Sequence, residues 1–199
     1  SGEKFPEYMK KNIFDPLQMS NTFVFTPADS TRATPSFNYD RSYWKNDFLD
    51  ETYGDKNIYT TPGDLLKWDQ ALYTDKVISK SMQDSAFSPY SFENKSIHNY
   101  GLGWHLLLLP NGKKVIYHFG RWHGFNAAFA RLTDEKVTII ILGNKFSRNI
   151  YNVAHQCYDI FGDYQQHHVN EEEESENTEV NKKSFPLKEK KSKSTSKKY

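Results

Sequence analysis

Val115-Ile116-Tyr117-His118-Phe119-Gly120-Arg121-Trp122-His123-Gly124-Phe125-Asn126 reads as a strand that ends in a glycine-punctuated turn, with a second strand beyond it. It lies where apolar strand patterns are densest and holds the only His-x-Gly in the chain. The strand is expected over Val115 to Phe119. It is also expected to form one wall of any active site the protein has.

The neighbouring residues support a sheet. Gly101 to Leu109 reads as a strand starting from Tyr100, and Pro110-Asn111-Gly112 as a turn. Asn126 to Leu132 alternates as a third strand, and Thr133-Asp134-Glu135-Lys136 is a hairpin turn. Val137 to Leu142 is a continuous apolar run, as expected of a strand buried on both faces, and Gly143-Asn144 stops it. Ile150, Val153, Ala154, Cys157, Tyr158 and Phe161 then recur at helical spacing, which predicts a closing helix packed on the sheet.

The preceding half is less regular. Phe5, Tyr8, Met9 and Ile13 share one face of a helix that Asp15-Pro16 is expected to end. Leu17, Met19 and Phe23 form a short apolar plug. Residues 26–56 are rich in Thr, Ser, Pro, Asn and Asp and predict a long loop, pinned by Phe37, Tyr39, Tyr43, Trp44 and Phe48. Thr61-Pro62-Gly63-Asp64 predicts a helix start: Thr61 caps, Pro62 takes the first position, and Asp64 reaches back as in a capping box. Leu65, Trp68 and Leu72 form its buried stripe, and a short helix is expected near Lys80–Phe87.

Residues 171–179 are strongly acidic and 182–198 strongly basic. With so few apolar side chains the tail cannot offset its ordering entropy, so residues 170–199 are expected to be a disordered, solvated tail.

Composition narrows the function. The chain has 199 residues, 16% of them aromatic, enough for one domain and a tail. A formal net charge of +1 provides no global field to recruit nucleic acid. The single cysteine, Cys157, excludes an intrachain disulfide and reads as a small buried hydrophobe. No apolar run approaches the ~20 residues of a membrane span. The chain does not open on Met and its first residues read as the interior of a helical pattern, so a piece of a longer or processed protein is expected.

Four separated segments and a strand end share one resemblance. Ile13-Phe14-Asp15-Pro16-Leu17-Gln18-Met19-Ser20-Asn21-Thr22 is similar to an "Ile-Phe-x-Pro-Leu-Gly-Met-x-x-Thr" segment. Tyr59-Thr60-Thr61-Pro62-Gly63-Asp64-Leu65 resembles a "Ser-Thr-x-x-Asp-Leu" helix start, and Tyr100-Gly101-Leu102-Gly103-Trp104 a "Tyr-Gly-x-Gly-Trp" strand. His118-Phe119-Gly120 with Gly124-Phe125 resembles "His-x-Gly…Gly-Phe", and Leu142-Gly143-Asn144 a strand-ending "Thr/Ser-Asn". Over about residues 1–162 the chain thus resembles the serine β-lactamase-like hydrolases: class C β-lactamases, D-alanyl-D-alanine carboxypeptidases and related esterases.

The resemblance implies an α/β (α+β) sandwich of the β-lactamase/transpeptidase type, incomplete at its N-terminus. Residues 1–98 would be the remnant of a helical subdomain. Residues 99–166 would hold an antiparallel sheet of three or four strands plus the closing helix. It also implies an acyl-enzyme reaction on a peptide, β-lactam or ester. Such a site has three walls: Ser-x-x-Lys, Tyr-x-Asn or Ser-x-Asn, and Lys-Thr-Gly or His-x-Gly. By resemblance His118 occupies the third motif, Gly120 lets substrate backbone lie close, and the Arg121 N–H is an oxyanion donor. Arg121, bulkier than the usual residue, could narrow the cleft or bind a substrate carboxylate, and Gln18 stands where the family usually has Gly. A periplasmic or cell-envelope setting is implied, and no cofactor.

The nucleophile motif is expected to be absent. Ser1-Gly2-Glu3-Lys4 and Ser194-Thr195-Ser196-Lys197 fit Ser-x-x-Lys by spacing, but neither opens a buried helix. Ser147-Arg148-Asn149 and Ser175-Glu176-Asn177 read as chance occurrences of Ser-x-Asn. The chain is therefore expected to be inactive alone, and to self-associate through a sheet edge left open by the missing part. The alternative is a non-catalytic peptide-binding or interaction module. Trp44 and Trp122 are loop aromatics placed to contact substrate. His118 and His123 are not expected to bind metal, since no carboxylate or cysteine stands at ligand spacing near them in the sequence. His167-His168 reads as a helix-end or tail feature.

Overall fold

The computed structural model describes residues 1–45, 47–92 and 96–165, with Glu51 by its backbone alone. The tail expected at 170–199, and His167-His168, lie outside the described residues.

Five antiparallel strands lie side by side in chain order: β3 (His98–Tyr100), β4 (His105–Leu108), β5 (Lys114–Trp122), β6 (Phe125–Leu132) and β7 (Val137–Gly143). Two shorter strands, β1 (Phe23–Val24) and β2 (Ile58–Tyr59), pair separately. The strand expected from Tyr100 to Leu109 is instead broken in two. Gly103 takes φ 79, and a Cβ at Gly101 would lie 2.1 Å from the Ala86 carbonyl oxygen, so the backbone turns where only glycine fits. The polar residues His98 and Asn99 conceal the extra strand.

The quoted strand is also longer than expected. Gly120 lies within β5, which runs on to Trp122, and the turn falls at His123-Gly124. His123 carries the left-handed backbone, φ 52, and Gly124 is needed for closeness: a Cβ there would meet the Phe37 carbonyl oxygen at 2.0 Å. β7 is not buried on both faces. It pairs with β6 at one edge of the sheet, and within it only Ile139 is buried.

One sheet face carries Leu107, Val115, Tyr117, Ala128, Ala130 and Leu132, which pack against Ala154, Tyr158 and Tyr164. This is the closing-helix layer, with α4 at Asn149–Gln156. On the other face Leu106 and Ile116 meet Ala86 and Phe87, at the end of α3 (Lys80–Ala86). Each fully buried Val, Leu or Ile contributes about 1.5–3 kcal/mol. That second face also holds Arg131, 1% exposed, whose Nε donates to Asp69 Oδ1 at 2.5 Å. Asp69 belongs to α2 (Pro62–Ala71), so a buried ion pair fixes α2 to the sheet.

Thr61 caps α2 by accepting from the Asp64 N–H at 3.2 Å. Asp64 does not reach back as expected. It is buried and accepts from Asn21 N, Thr22 Oγ1 and Lys67 Nζ, tying the 21–22 turn to the helix. Leu72 is buried as expected, whereas Leu65 and Trp68 are half-buried.

The first helix, α1 (Phe5–Met9), continues as a π-helical turn through Phe14. Asp15 keeps helical angles despite Pro16, and the chain turns away at Gln18, φ 57. Phe14, Met19 and Val24 form a third buried cluster there.

Of the aromatics named as pins for the 26–56 segment, Phe37 and Trp44 are half-buried and three are not. Tyr39, Tyr43 and Phe48 are 75%, 69% and 81% exposed. Two small polar groups of the segment, Ser36 and Asp50, are buried beside them.

Candidate functional site

β4 pairs with β5 only from Lys114 to Tyr117, while β5 extends five residues further beside β6. Antiparallel hydrogen bonds alternate in direction along a strand. The Leu109 N–H donates to the Lys113 carbonyl at 2.9 Å, so odd-numbered residues of β5 face β4 and even-numbered ones face β6. Past Tyr117 that alternation points the N–H and C=O of Phe119 and Arg121 beyond the end of β4. They form an open backbone edge.

His118 lies on this stretch and is exposed, with its Nε2 3.3 Å from the Tyr100 hydroxyl. Its ring is 5.2 Å from that of His105. Burial, then the charges of His118 and His98, pull the His105 imidazole below its ordinary range. The space where a Gly120 side chain would stand is open, with nothing within 4 Å. Strand alternation puts Ile116, His118 and Gly120 on one face, opposite α4.

The Gly120–Arg121 peptide is held from both directions. The Tyr151 hydroxyl, from α4, donates to the Gly120 carbonyl at 2.9 Å. The N–H of the same planar unit, on Arg121, therefore points the opposite way, to the open edge. Burial pushes the Tyr151 phenol up, offset in part by the charges of Arg121 and Arg148. The Arg121 side chain is exposed and its guanidinium lies 5.6 Å from the Phe146 ring centre.

The turn is clamped by the long 26–57 segment. Trp122 Nε1 donates to Asp50 Oδ1 at 2.5 Å, and His123 Nε2 lies 2.9 Å from the same oxygen. Trp44 stacks on the His123 ring at 5.1 Å. The Gly124 N–H donates to Ser36 Oγ at 2.8 Å, and Asn126 Nδ2 to the Gly124 carbonyl at 2.8 Å. Trp122 is thus tied to Asp50 and Trp44 to the His123 ring, rather than standing free in loops.

Asp47, Asp50 and His123 form the one group, among the described residues, whose donor atoms could converge on a metal; they lie within 4.8 Å of one another. Sequence spacing concealed these carboxylates, because the fold brings them to His123 from a distant loop. His118 is not in the group. Asp47 Oδ1 already accepts from Leu49 N, and Asp50 accepts from Asp47 N, Trp122 and His123. Sequence reasoning missed Asp50, Ser36 and Tyr151. The only local signal was the Asp47-x-x-Asp50 spacing of a capping box, which the structure contains.

The β-lactamase family model matches residues 1–155, well over half of the chain. The chain belongs to the β-lactamase family. Penicillin-binding protein 4* of Bacillus subtilis is 32% identical over 77% of the chain and 38% of its own length. The putative penicillin-binding protein PbpX of the same organism is 28% identical over 75% of the chain and 36% of its own length. The chain thus spans less than two fifths of these curated relatives. The octameric penicillin-binding protein homologue from Pyrococcus abyssi superposes with a TM-score of 0.68 at 18% identity, covering 80% of this chain and 38% of that one. The D-amino acid amidase of Ochrobactrum anthropi SV3 gives 0.59 at 19% identity, covering 79% and 53%. At these identities the likeness shows the fold: an antiparallel α/β sheet with its helical layer, as the sequence motifs implied. Among the described residues of this family member no helix is long and apolar enough to cross a membrane.

Proposed function

We propose that this chain is the C-terminal part of a serine hydrolase that acts through an acyl-enzyme on a peptide, β-lactam or ester, and that it is inactive alone. The open backbone edge of β5 at Phe119 and Arg121, beside His118, carries the reading. An extended substrate would lie along it by β-addition, with the Arg121 N–H donating to a developing oxyanion. Gly120 leaves that approach unobstructed.

One further observation supports the second half of the proposal. Ser1 and Lys4 are both exposed, and the Ser1 hydroxyl accepts from the Glu3 N–H at 3.3 Å, so this Ser-x-x-Lys has none of the burial that holds a nucleophile rigidly. Ser194 and Lys197 lie outside the described residues. The nucleophile and its base are then supplied by the family's other portion, whose sheet strands and nucleophile helix would also cover the open edge of β7. The octameric homologue prompts the companion proposal that the uncovered edge drives self-association.

Nitrocefin and p-nitrophenyl acetate turnover is the test, on residues 1–199 and on a longer polypeptide carrying a Ser-x-x-Lys. The short chain is expected to give the buffer rate and the longer one to turn over. Turnover by residues 1–199 would overturn the absence of a nucleophile. Failure of both would favour the non-catalytic binding module.

A further inference from the structure

A cavity of about 220 Å³ lies at the turn end of β5, between the 26–57 segment and the β5–β6 hairpin. Tyr43, Trp44, Tyr59 and Phe125 contribute aromatic walls, and Asp50 and His123 a polar corner. Among the described residues Asp50 is the only carboxylate lining it, and no Lys or Arg does. Asp50 is 7% exposed. Its neighbours inside the wall are the Trp122 indole N–H, the Asp47 backbone N–H and the His123 ring. Its charge is felt across the cavity: burial, then the Asp50 carboxylate, pushes the Tyr59 phenol up.

A buried carboxylate set among aromatic faces favours a cation twice, through Coulomb attraction and through the ring quadrupoles. A volume below the several hundred Å³ of drug-sized sites limits the guest to a small group. Tyr43, 69% exposed, also lines the cavity. We propose that this cavity binds a primary ammonium group on a small organic ligand, with Asp50 as its counter-ion and the Trp44, Tyr59 and Phe125 rings as its walls. The inference does not depend on the acyl-transfer reading, because binding needs no nucleophile. In the complete hydrolase it would select substrates or effectors that carry a free amine.

The test is a titration of the full chain with benzylammonium, benzyl alcohol and benzyltrimethylammonium, followed by indole and imidazole NMR shifts. Benzylammonium is expected to shift the Trp44, Trp122 and His123 signals at about millimolar concentration, and to bind at least about tenfold tighter than benzyl alcohol. Benzyltrimethylammonium, which cannot donate a hydrogen bond to Asp50, is expected to bind more weakly. Asp50→Asn should erase the preference for charge, and Tyr43→Ala should weaken binding several-fold. Tyr43→Ala changes an exposed side chain and keeps the test open should Asp50→Asn fail to fold. Equal binding of alcohol and ammonium, tighter binding of the trimethyl analogue, shifts confined to other residues, or no change in Tyr43→Ala would each overturn the proposal.

Discussion

Gln18 adopts φ 57, a conformation that costs an L-residue about 1–2 kcal/mol and glycine almost nothing. Its carbonyl accepts from Lys67 Nζ, which ties the strained turn to α2. Gln18→Gly is expected to stabilise the fold by about 0.5–1 kcal/mol, after allowing for the extra freedom of glycine in the unfolded chain; urea denaturation measures it. Asp69 poses the opposite case. Its partner Arg131 is 1% exposed, and Asp69→Ala would leave a guanidinium buried without its carboxylate. A loss of about 3–5 kcal/mol is expected in the same assay. The motif family made the glycine position at Gln18 readable from sequence. The Arg131–Asp69 pair was not readable, because a strand pattern gives alternation but not what approaches from 62 residues away.

α4 closes one face of the sheet and brings His155 into the core. The ring is 4% exposed and stacks near Phe119 and Tyr158. Burial, then the charge of His98, pushes its pKa down to about 4 from an ordinary 6.5. The unfolded chain therefore binds the proton that the native protein refuses. Stability is full above about pH 6.5 and is lost as pH falls towards 4, by at most about 3 kcal/mol from this one group. His155→Phe is expected to flatten that acid slope while native fluorescence is kept; an unchanged slope would contradict the assignment. The helix itself was legible, although it ends at Gln156: Ala154 on its expected apolar spacing is buried, as is Tyr158 in the turn that follows, while Val153 and Phe161 are exposed. The charge-sensitive residue was not, because a histidine on an amphipathic helix looks the same in sequence whether it faces water or core. Strand ends followed a similar rule. Gly120 looked like a turn residue and is instead a strand residue beside open space, while Gly101 and Gly103 looked like strand residues and make a turn.

Across the whole molecule β4 to β7 and the places of α3 and α4 follow from apolar patterning and glycine punctuation, and the family resemblance made the fold class legible, whereas the polar β3 escaped the pattern. The site was legible only in part. His118, Gly120 and Arg121 lie within four residues of one another and announce themselves as a motif. Asp50 and Ser36, from the long loop, and Tyr151, from α4, hold that strand end, and no local pattern connects them. The proposed function rests on where the fold leaves β5 unpaired: a paired strand is a structural element, whereas an open one can take an added strand. Backbone amide hydrogen exchange, resolved by NMR along β5, tests this most directly. Gly120 and Trp122, which face β6, are expected to be protected, and Phe119 and Arg121 to exchange rapidly between them. Equal protection of all four amides, or slow exchange at Arg121, would contradict the open edge and with it the substrate-binding wall.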